Sequence, residues 1–314
     1  MNENEDKVYD LIIIGGGPAG AASSVYAARK QLNTMLIVHE WGGQSQVSET
    51  IYNWIGTKEI SGAKLATDLK EHALSYKGEY LNAVEGVKAS NIIKDGDNFI
   101  VTTDDNKIYK SKSVLICSGS SRRKLPVENA DKYEHKGITY CASCDGPVFV
   151  GQDVIVIGGG NAGFESALQL AAYCKTVTMV NRGDSFRADP ITIEKTLAKE
   201  NIKSILNADI LRVDGEMFVN SLTYKDKITN EEITIPTGGI FVEIGQIPNT
   251  DFVKELLPLS ESNNIIVDPT NQRTKIAGIW AAGDVTDGLY HQNNIAAGDA
   301  VKAIEDIYIC LQKM

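Results

Sequence analysis

Several features that mark common protein classes are scarce in this sequence of 314 residues. No apolar run approaches the roughly 20 residues that a membrane-spanning helix needs, so we expect no membrane association. Basic residues number 31 against 41 acidic ones, and the net charge of −10 argues against a broad nucleic-acid-binding face while leaving a local basic site open. Residues 1–7 are acidic and polar, which disfavours a secretory signal or a basic transit peptide.

Cysteine and proline are also scarce. The five cysteines are an odd number and thinly spread, which fits a reducing cytoplasm better than a disulfide-built secreted domain. The 8 prolines stand against 28 glycines, so the glycine does not belong to a proline-rich disordered composition and is available for tight turns. The chain length favours two domains.

The sequence does contain an internal repeat. Residues 10–20, DLIIIGGGPAG, return as residues 153–163, DVIVIGGGNAG. In each copy an apolar, β-branched run predicts a strand buried on both faces, a glycine turn follows, and an alanine-rich helix and a second strand complete a βαβ unit. The predicted helices and second strands are residues 21–30 and 34–38 in the first copy, and 164–173 and 176–180 in the second.

Both glycine turns have the G-x-G-x-x-G spacing in the strand-to-helix context that dinucleotide binding requires. The first glycine permits the tight turn, the second lets the backbone approach a pyrophosphate, and the third lets the helix pack closely. The free N–H groups at the helix N-terminus then face the phosphates. We therefore predict two dinucleotide sites, on Gly15, Gly17 and Gly20 and on Gly158, Gly160 and Gly163.

The residues after each second strand indicate which dinucleotide binds. In the first copy Glu40 supplies a carboxylate suited to the hydroxyls of an adenosine ribose, which favours FAD or NAD. In the second copy Arg182 takes the place of the acid, and Arg187 follows. A guanidinium can pair with a 2′-phosphate, so the second site is predicted to take NADP.

The rest of the chain reads as short strands, turns and one long helix. Antiparallel meanders are predicted over residues 89–112 and 205–235, a separate buried strand over 114–116, a linker over 120–124, a strand and Gly-Asp turn over 278–284, and a final helix over 292–311.

Cys141 and Cys144 form the one close cysteine pair, just ahead of the second glycine turn. The C-x-x-C spacing permits a small, reversible disulfide and predicts redox chemistry, and Asp145 could supply or accept the proton. Zinc is the rival interpretation, but it needs four ligands, and the four histidines are not spaced as a pair, so we predict no metal site. Cys117, Cys174 and Cys310 are predicted to be buried small hydrophobes.

Together these features resemble the thioredoxin reductase family in its small, bacterial, two-domain form. The resemblance implies an α/β fold of two Rossmann-like domains, each with a small antiparallel meander. The FAD domain would span residues 1–119 and 247–314, with an NAD(P)H domain over 120–246 inserted into it. It implies FAD contacts at Gly15, Gly17, Pro18, Ala19, Gly20, Glu40, Gly43, Gln44, Asn53, Gly283, Asp284 and Gln292, and NADPH contacts at Gly158, Gly160, Asn161, Gly163, Arg182 and Arg187.

The resemblance also implies a reaction. Electrons would pass from NADPH through FAD to the Cys141–Cys144 disulfide, with Cys144 facing the flavin, Cys141 attacking a thioredoxin-like partner, and Asp145 serving as the acid. The NADPH domain would rotate about linkers near residues 120–123 and 245–249. A cytoplasmic homodimer is expected.

Departures from the family pattern keep alternatives open. The second copy has Asn181-Arg182-Gly183 where the family usually has His-Arg-Arg, Gly163 stands where an alanine often accompanies NADP preference, and His291 precedes Gln292 where an arginine is common. NADH or another donor therefore stays possible.

Other functions compete with this one. Residues 144–147 and 239–250 resemble the flavoprotein of alkyl hydroperoxide reductase. That enzyme carries an additional N-terminal thioredoxin-like module, and nine residues precede Asp10, so a separate carrier would be required. A ferredoxin or flavodoxin reductase is disfavoured because its reaction needs no cysteine pair. A flavin-binding redox sensor without turnover is a further alternative.

Overall fold

The structure is a computed structural model that describes residues 7–48 and 51–313, with the side chains of Val47 and Cys144 outside the description. The chain divides into two compact units. One comprises Met1–Ser121 and Ile247–Met314, and the other, Arg122–Gln246, interrupts it in the sequence. No helix in the described part of the chain is long and apolar enough to cross a membrane.

The strands, in chain order, are β1 (Val8–Gly16), β2 (Thr34–Trp41), β3 (Leu81–Glu85), β4 (Ala89–Asp95), β5 (Asn98–Thr103), β6 (Ile108–Ile116), β7 (Ser120–Arg122), β8 (Ile138–Thr139), β9 (Asp153–Ile157), β10 (Thr176–Val180), β11 (Ile202–Ile205), β12 (Ala208–Gly215), β13 (Val219–Asp226), β14 (Glu232–Pro236), β15 (Gly239–Val242), β16 (Gln246–Pro248) and β17 (Ile279–Ala281). The helices are α1 (Pro18–Arg29), α2 (Gly62–Leu74), α3 (Ala142–Asp145), α4 (Asn161–Leu170), α5 (Pro190–Leu197) and α6 (Asn293–Leu311), with 3₁₀ turns at Gly43–Val47, Ala130–Tyr133, Gly146–Phe149 and Asp251–Val253.

The first unit is built on a sheet ordered β3-β2-β1-β6-β5-β4, with β17 also paired to β6. Its central strand β1 is buried on both faces, as the apolar run predicts. Leu11 and Ile13 belong to the core beneath α1 and α6, whereas Ile12 and Ile14 belong to the core on the opposite face. Strands β1, β2, β3, β6 and β17 are parallel to one another, whereas β5 is antiparallel to β6 and β4 is antiparallel to β5.

The prediction of a separate strand over 114–116 was wrong, because β6 runs unbroken through Ile108–Ile116. Along one edge β1 pairs with Lys110–Ile116, and along the other edge β5 pairs with the first half of the strand and β17 with Val114–Ile116. Lys110 and Lys112 face outward in the first half, between buried positions, and the strand becomes wholly apolar only where both of its faces are covered. The change of pattern marks a change of environment within one strand.

The second unit has an all-parallel sheet ordered β11-β10-β9-β15-β8 and a separate antiparallel sheet β12-β13-β14. Alternate residues of β9 again enter two cores, with Ile155 and Ile157 on one face and Val154 and Val156 on the other. Both units therefore contain the repeated βαβ arrangement and a meander, which confirms the predicted fold class.

Helix starts and the predicted linker differ from the expectations in detail. Helix α1 begins at Pro18 and α4 at Asn161, three residues earlier than predicted, because each helix starts directly from the glycine turn. Part of the linker over 120–124 is extended, since β7 pairs with β16 in a two-stranded sheet. The final helix, Asn293–Leu311, lies within the predicted range.

Candidate dinucleotide and dithiol sites

The first glycine turn separates glycines that the fold requires from one that it does not. Gly15 has φ +125°, and a Cβ there would lie 2.1 Å from the carbonyl oxygen of Cys117. A Cβ on Gly20 would lie 1.9 Å from the carbonyl oxygen of Gly15, so α1 packs directly on the turn. A Cβ on Gly17 would meet nothing nearer than the Cα of Gly43 at 3.8 Å. The fold alone therefore leaves Gly17 unexplained.

The second turn repeats this division. Gly158 has φ +137°, and its Cβ would lie 2.2 Å from the carbonyl oxygen of Glu243. A Cβ on Gly163 would lie 2.4 Å from the carbonyl oxygen of Gly158, whereas a Cβ on Gly160 would meet nothing within 4 Å. The open glycine is again the one that would let a pyrophosphate approach the backbone.

Both open glycines are helix N-caps without a side-chain cap. Gly17 precedes α1, which begins with Pro18, and Gly160 precedes α4. The first-turn N–H groups of each helix therefore remain available to an anion at the positive end of the helix dipole. Two open cradles at uncapped N-termini fit the phosphates of two dinucleotides.

Other predicted residues of the first unit gather around Gly17. Gly43 has φ +58°, and its Cβ would lie 3.5 Å from the Cα of Gly17, with exposed Gln44 following it. Gly283 has φ +78°, and a Cβ there would lie 3.4 Å from the Cβ of Ala19 and 3.2 Å from the Cβ of Ala296, so the Gly-Asp turn carrying Asp284 packs between the starts of α1 and α6.

Glu40 presents an exposed carboxylate near the end of β2, and its backbone lies against the glycine turn, since a Cβ on Gly16 would be 2.6 Å from the carbonyl oxygen of Glu40. His39 Nε2 lies 3.4 Å from Glu40 Oε1. The negative charge of the Glu40 carboxylate would accept hydrogen bonds from ribose hydroxyls and would repel a 2′-phosphate.

The structure also pairs residues that are far apart in sequence. Asn53 Nδ2 donates to Gln292 Oε1 at 3.1 Å, which joins two predicted FAD contacts. Sequence reasoning missed three neighbouring residues: Asn294 Nδ2 donates to the carbonyl of Asn53 at 2.7 Å, and Ser45 Oγ donates to the side chain of Asn293 at 2.7 Å. The run of three amides at 292–294, at the start of a helix, is the signal that could have found the two asparagines.

His291 provides a further test of whether a ligand fits the first unit. Its Nε2 is fully enclosed and has no hydrogen-bond partner in the described part of the chain. An enclosed ring nitrogen without a partner costs free energy that a polar group of a bound molecule can offset. This position, next to Gln292, fits a cofactor that carries polar atoms.

At the second cradle, the residues after β10 fold back onto the glycine turn. The amide of Asn181 donates to the carbonyl of Ser185 at 2.7 Å, and the backbone N–H of Arg187 donates to the carbonyl of Gly159 at 2.7 Å. Arg182 and Arg187 are exposed, and no hydrogen bond or ion pair engages either guanidinium within the described residues. Two exposed cations thus follow β10, where the sequence predicts a 2′-phosphate.

Asn161 is at the predicted cradle, but its side chain is occupied. Its Oδ1 accepts from the backbone N–H of Asp189 at 2.9 Å, and its Nδ2 donates to the Asp189 carboxylate at 3.2 Å. The contact ties the start of α4 to the start of α5, so the backbone of Asn161 is the part best placed to meet a ligand.

Cys141 is half-exposed and disulfide-bonded, directly before the short helix α3. The backbone of Cys144 lies within α3, and its side chain lies outside the described part of the structure. The backbone N–H of Asp145 donates to the carbonyl of Cys141 at 3.0 Å, and Thr139 Oγ1 donates to Asp145 Oδ2. Sequence reasoning missed Thr139, which orients the predicted acid.

The three other cysteines are free. Burial raises the pKa of Cys117 to about 12 and that of Cys174 to about 11, so both behave as the inert hydrophobes predicted. The prediction was wrong for Cys310, which is only partly buried and lies 3.0 Å from Nη2 of Arg273. Its place near the end of the amphipathic helix α6 leaves one side of it open.

Comparison with known proteins gives a consistent result. Residues 9–300 match the family described as pyridine nucleotide-disulphide oxidoreductase. The thioredoxin reductase of Streptococcus pyogenes MGAS5005 superposes with a TM-score of 0.85 at 33% identity, over 98% of this chain and 99% of that one.

Curated relatives carry other names. The chain is 36% identical to a protein of Staphylococcus epidermidis named as one component of alkyl hydroperoxide reductase, and 35% identical to a Bacillus subtilis protein named NADH dehydrogenase, over 96% and 94% of its own length. It spans 58% and 57% of the lengths of these two proteins.

Proposed function

The chain belongs to the pyridine nucleotide-disulphide oxidoreductase family, and we propose that it reduces the disulfide of a thioredoxin-like protein with electrons from NADPH, by way of FAD and the Cys141–Cys144 pair. One observation carries the proposal. The disulfide-bonded Cys141 lies in a C-x-x-C run just ahead of the second of two glycine cradles, and each cradle keeps one glycine open at an uncapped helix N-terminus.

The first unit would hold FAD. The open backbone at Gly17 and the N-terminus of α1 would bind the pyrophosphate, and Glu40 would accept hydrogen bonds from the adenosine ribose. His291 Nε2 and the Asn53–Gln292 pair offer polar contacts for the rest of the cofactor. When bound, the flavin supplies two-electron exchange between a nicotinamide hydride and a disulfide.

The chain's own cysteines would complete the reaction by thiol–disulfide exchange. Two electrons and two protons convert the Cys141–Cys144 disulfide into two thiols. Cys141 gives its proton to Asp145, and the thiolate attacks the partner's disulfide, forms a mixed disulfide and releases one partner sulfur, which takes that proton from Asp145. Cys144 then gives up its proton in the same way, attacks the Cys141 sulfur and restores the internal disulfide, and the second partner sulfur leaves with this proton. Thr139 would hold the Asp145 carboxyl in position for its proton transfer.

NADPH is the proposed donor because Arg182 and Arg187 stand exposed and unpaired where a 2′-phosphate would lie. A stopped-flow comparison of flavin reduction by NADPH and NADH tests this. We expect NADPH to be faster, and Arg182→Ala to remove most of the difference. Equal rates in the unchanged protein would refute NADPH preference, and NADH would then be the donor, in keeping with the name of the Bacillus subtilis relative.

The main function is tested with purified protein and a thioredoxin disulfide. Cys141→Ser and Cys144→Ser should each abolish disulfide reduction while FAD stays bound, because neither residue belongs to the FAD cradle. Cys174→Ser is the matched control, since this buried free thiol should be dispensable. Full activity in either of the first two variants would contradict the proposal, and so would an unchanged protein that takes up electrons without reducing any disulfide, as a redox sensor would.

A second candidate function rests on the relatives whose names assign them to alkyl hydroperoxide reductase. The chain would then serve a peroxidase through a separate dithiol carrier. Side-by-side assays with thioredoxin and with a carrier–peroxiredoxin pair distinguish the two functions, since the physiological partner should be reduced at far lower concentration. In either case we propose a homodimer that works in the cytoplasm, on the basis of the family resemblance and the low cysteine content.

A further inference from the structure

Glu243 occupies a place in the second unit that the proposed reaction does not use. It follows β15 directly, and its backbone N–H donates to the carbonyl of Ile157, the last residue of β9, at 2.8 Å. Its own carbonyl lies against Gly158 of the glycine turn. Glu243 is therefore at the carboxyl edge of the parallel sheet, beside the cradle.

The sheet order makes this edge a binding crevice. From β9 the chain passes through α4 to β10 on one side, whereas β15 pairs with β9 on the other side. The strand order reverses between β9 and β15, and ligands of open α/β sheets bind in the crevice outside the carboxyl ends at such a switch point.

The Glu243 carboxylate is held on one side only. Oε1 accepts from Ser166 Oγ of α4 at 2.7 Å, and Ser166 is 8% exposed. Oε2 has no hydrogen-bond partner in the described part of the chain, and it is not fully enclosed by protein, so a ligand can reach it. One oxygen is thus fixed by the fold, and the other is open to a ligand.

The surroundings make this carboxylate costly to keep without a ligand. Burial raises the pKa of Glu243, the Ser166 hydroxyl and the charge of Arg122 offset part of the shift, and the charge of Glu165 adds to it. A half-buried carboxylate with an unused oxygen contributes little to the fold, because its charge is poorly solvated.

A dinucleotide lying across the turn would bring donors to this oxygen. Its adenosine end is drawn toward Arg182, after β10, and its pyrophosphate toward Gly160. The remaining half therefore extends toward β15, where its ribose hydroxyls and carboxamide NH₂ are hydrogen-bond donors. We propose that Glu243 binds and positions the nicotinamide half of the dinucleotide by accepting a hydrogen bond at Oε2. The inference rests on the proposed function, which supplies the ligand.

The test compares three probes by calorimetry on the FAD-loaded protein: NADP⁺, 2′-phospho-ADP-ribose and 2′,5′-ADP. Glu243→Gln should weaken NADP⁺ binding by about tenfold and leave 2′,5′-ADP unchanged, as expected when a hydrogen bond to a charged group is lost. Weaker binding of 2′-phospho-ADP-ribose assigns the contact to the ribose, and unchanged binding assigns it to the carboxamide. Glu194→Gln, an exposed carboxylate on α5, is the matched control.

Two further measurements exclude a merely structural role. Affinity of the unchanged protein for NADP⁺ should fall as pH falls through the raised pKa of Glu243. Glu243→Gln should keep only the pH dependence that 2′,5′-ADP also shows, because the 2′-phosphate shared by both probes takes up a proton in acid. Ser166→Ala, which frees Oε1, should weaken NADP⁺ binding but not 2′,5′-ADP binding, and it provides a second variant should Glu243→Gln fail to fold.

Two results would overturn the inference: NADP⁺ affinity unchanged in a folded Glu243→Gln protein, or an equal loss for all three probes. Failure of the proposed function looks different, because neither NADP⁺ nor NAD⁺ would then bind the unchanged protein. If the protein binds NAD⁺ rather than NADP⁺, the same test uses NAD⁺, ADP-ribose and ADP in place of NADP⁺, 2′-phospho-ADP-ribose and 2′,5′-ADP, and the expected changes in affinity are the same.

Discussion

Replacing Gly17 by alanine should separate the needs of a ligand from those of the fold. Gly17 has φ −75° and ψ −172°, an extended conformation that alanine adopts without strain. The added Cβ would meet nothing nearer than 3.8 Å. Alanine is a poorer N-cap than glycine by about 0.5–1 kcal/mol, and the lower entropy of the unfolded chain returns about 0.4–1 kcal/mol. The free energy of unfolding of the FAD-free protein should therefore change by less than about 1 kcal/mol.

FAD binding should respond very differently. The new methyl group would occupy the open space at the N-terminus of α1, where the pyrophosphate would approach the backbone. Displacing the phosphates would weaken at least two charge-assisted hydrogen bonds, each contributing about 1.5–3 kcal/mol. A loss of about 3 kcal/mol or more corresponds to FAD affinity weakened by about 100-fold or more.

Two other glycines provide the contrasts. Gly20→Ala would place a Cβ 1.9 Å from the carbonyl oxygen of Gly15, so α1 must move, and overpacking of this kind costs about 1–3 kcal/mol. This variant should be destabilised even without FAD. Gly160→Ala has the open geometry of Gly17→Ala but lies in the second unit, so it should keep FAD and lose nicotinamide dinucleotide binding.

The assay combines the flavin-to-protein absorbance ratio, FAD titration of the FAD-free protein, calorimetry with NADP⁺, and urea unfolding. FAD binding by Gly17→Ala within about threefold of the unchanged protein, a difference of under about 1 kcal/mol, would refute the role given to Gly17. Loss of FAD in Gly160→Ala, or a Gly20→Ala protein as stable as the unchanged one, would equally contradict the roles given to these glycines.

Two further predictions concern the cysteines and the C-terminal helix. Iodoacetamide at pH 8 should label Cys310 in the folded, oxidised protein and leave Cys117 and Cys174 unlabelled, because burial raises the pKa of these two thiols to about 12 and about 11. Peptide mass spectrometry identifies the labelled cysteines, and rapid labelling of Cys117 would contradict the prediction. Burial opposes ionisation of Asp306, but hydrogen bonds from Arg273 and from the Trp280 indole outweigh burial and lower the pKa of Asp306. Ionised Asp306 should therefore add about 1 kcal/mol to the free energy of unfolding at pH values above the usual aspartate pKa, and this contribution should be lost as pH falls through the lowered pKa. Urea unfolding from pH 6 to 2 should show a gap between the unchanged protein and Asp306→Asn that closes at low pH, and a constant gap would contradict the assignment.

The features predicted from sequence are those fixed by local chemistry. Gly15 and Gly20 are required by a tight turn and by a close helix contact within a few residues of each other, so their spacing suffices to predict their geometry. The doubly buried β1 and β9 likewise follow from runs of β-branched residues. Short-range constraints leave a pattern in the sequence, and these elements were predicted accurately.

Contacts between distant positions left a weaker pattern or none. Ser45 meets Asn293 across 248 positions of sequence, and although Asn293 lies in the run of amides at 292–294, nothing around Ser45 in the sequence points to this contact. Thr139 precedes the C-x-x-C run and looks like an ordinary strand residue until the chain brings it to Asp145. The exposure of Cys310 depends on what covers one side of α6. Each of these depends on packing between elements, which a single sequence does not encode by spacing.

Gly159, the middle glycine of the second turn, explains why asparagine can stand at position 181, where the family usually has histidine. A Cβ on Gly159 would lie 2.7 Å from Oδ1 of Asn181, so the amide packs against the bare backbone of the turn. The same amide donates to the carbonyl of Ser185 and so closes the loop that carries Arg182 and Arg187. Asn181 therefore does more than replace a family cation, because it holds the backbone that follows β10 against the glycine turn, and the backbone N–H of Arg187 binds the same turn. The guanidiniums of Arg182 and Arg187 start from this anchored backbone and stay free to meet an anion, which is the arrangement that a 2′-phosphate site would need.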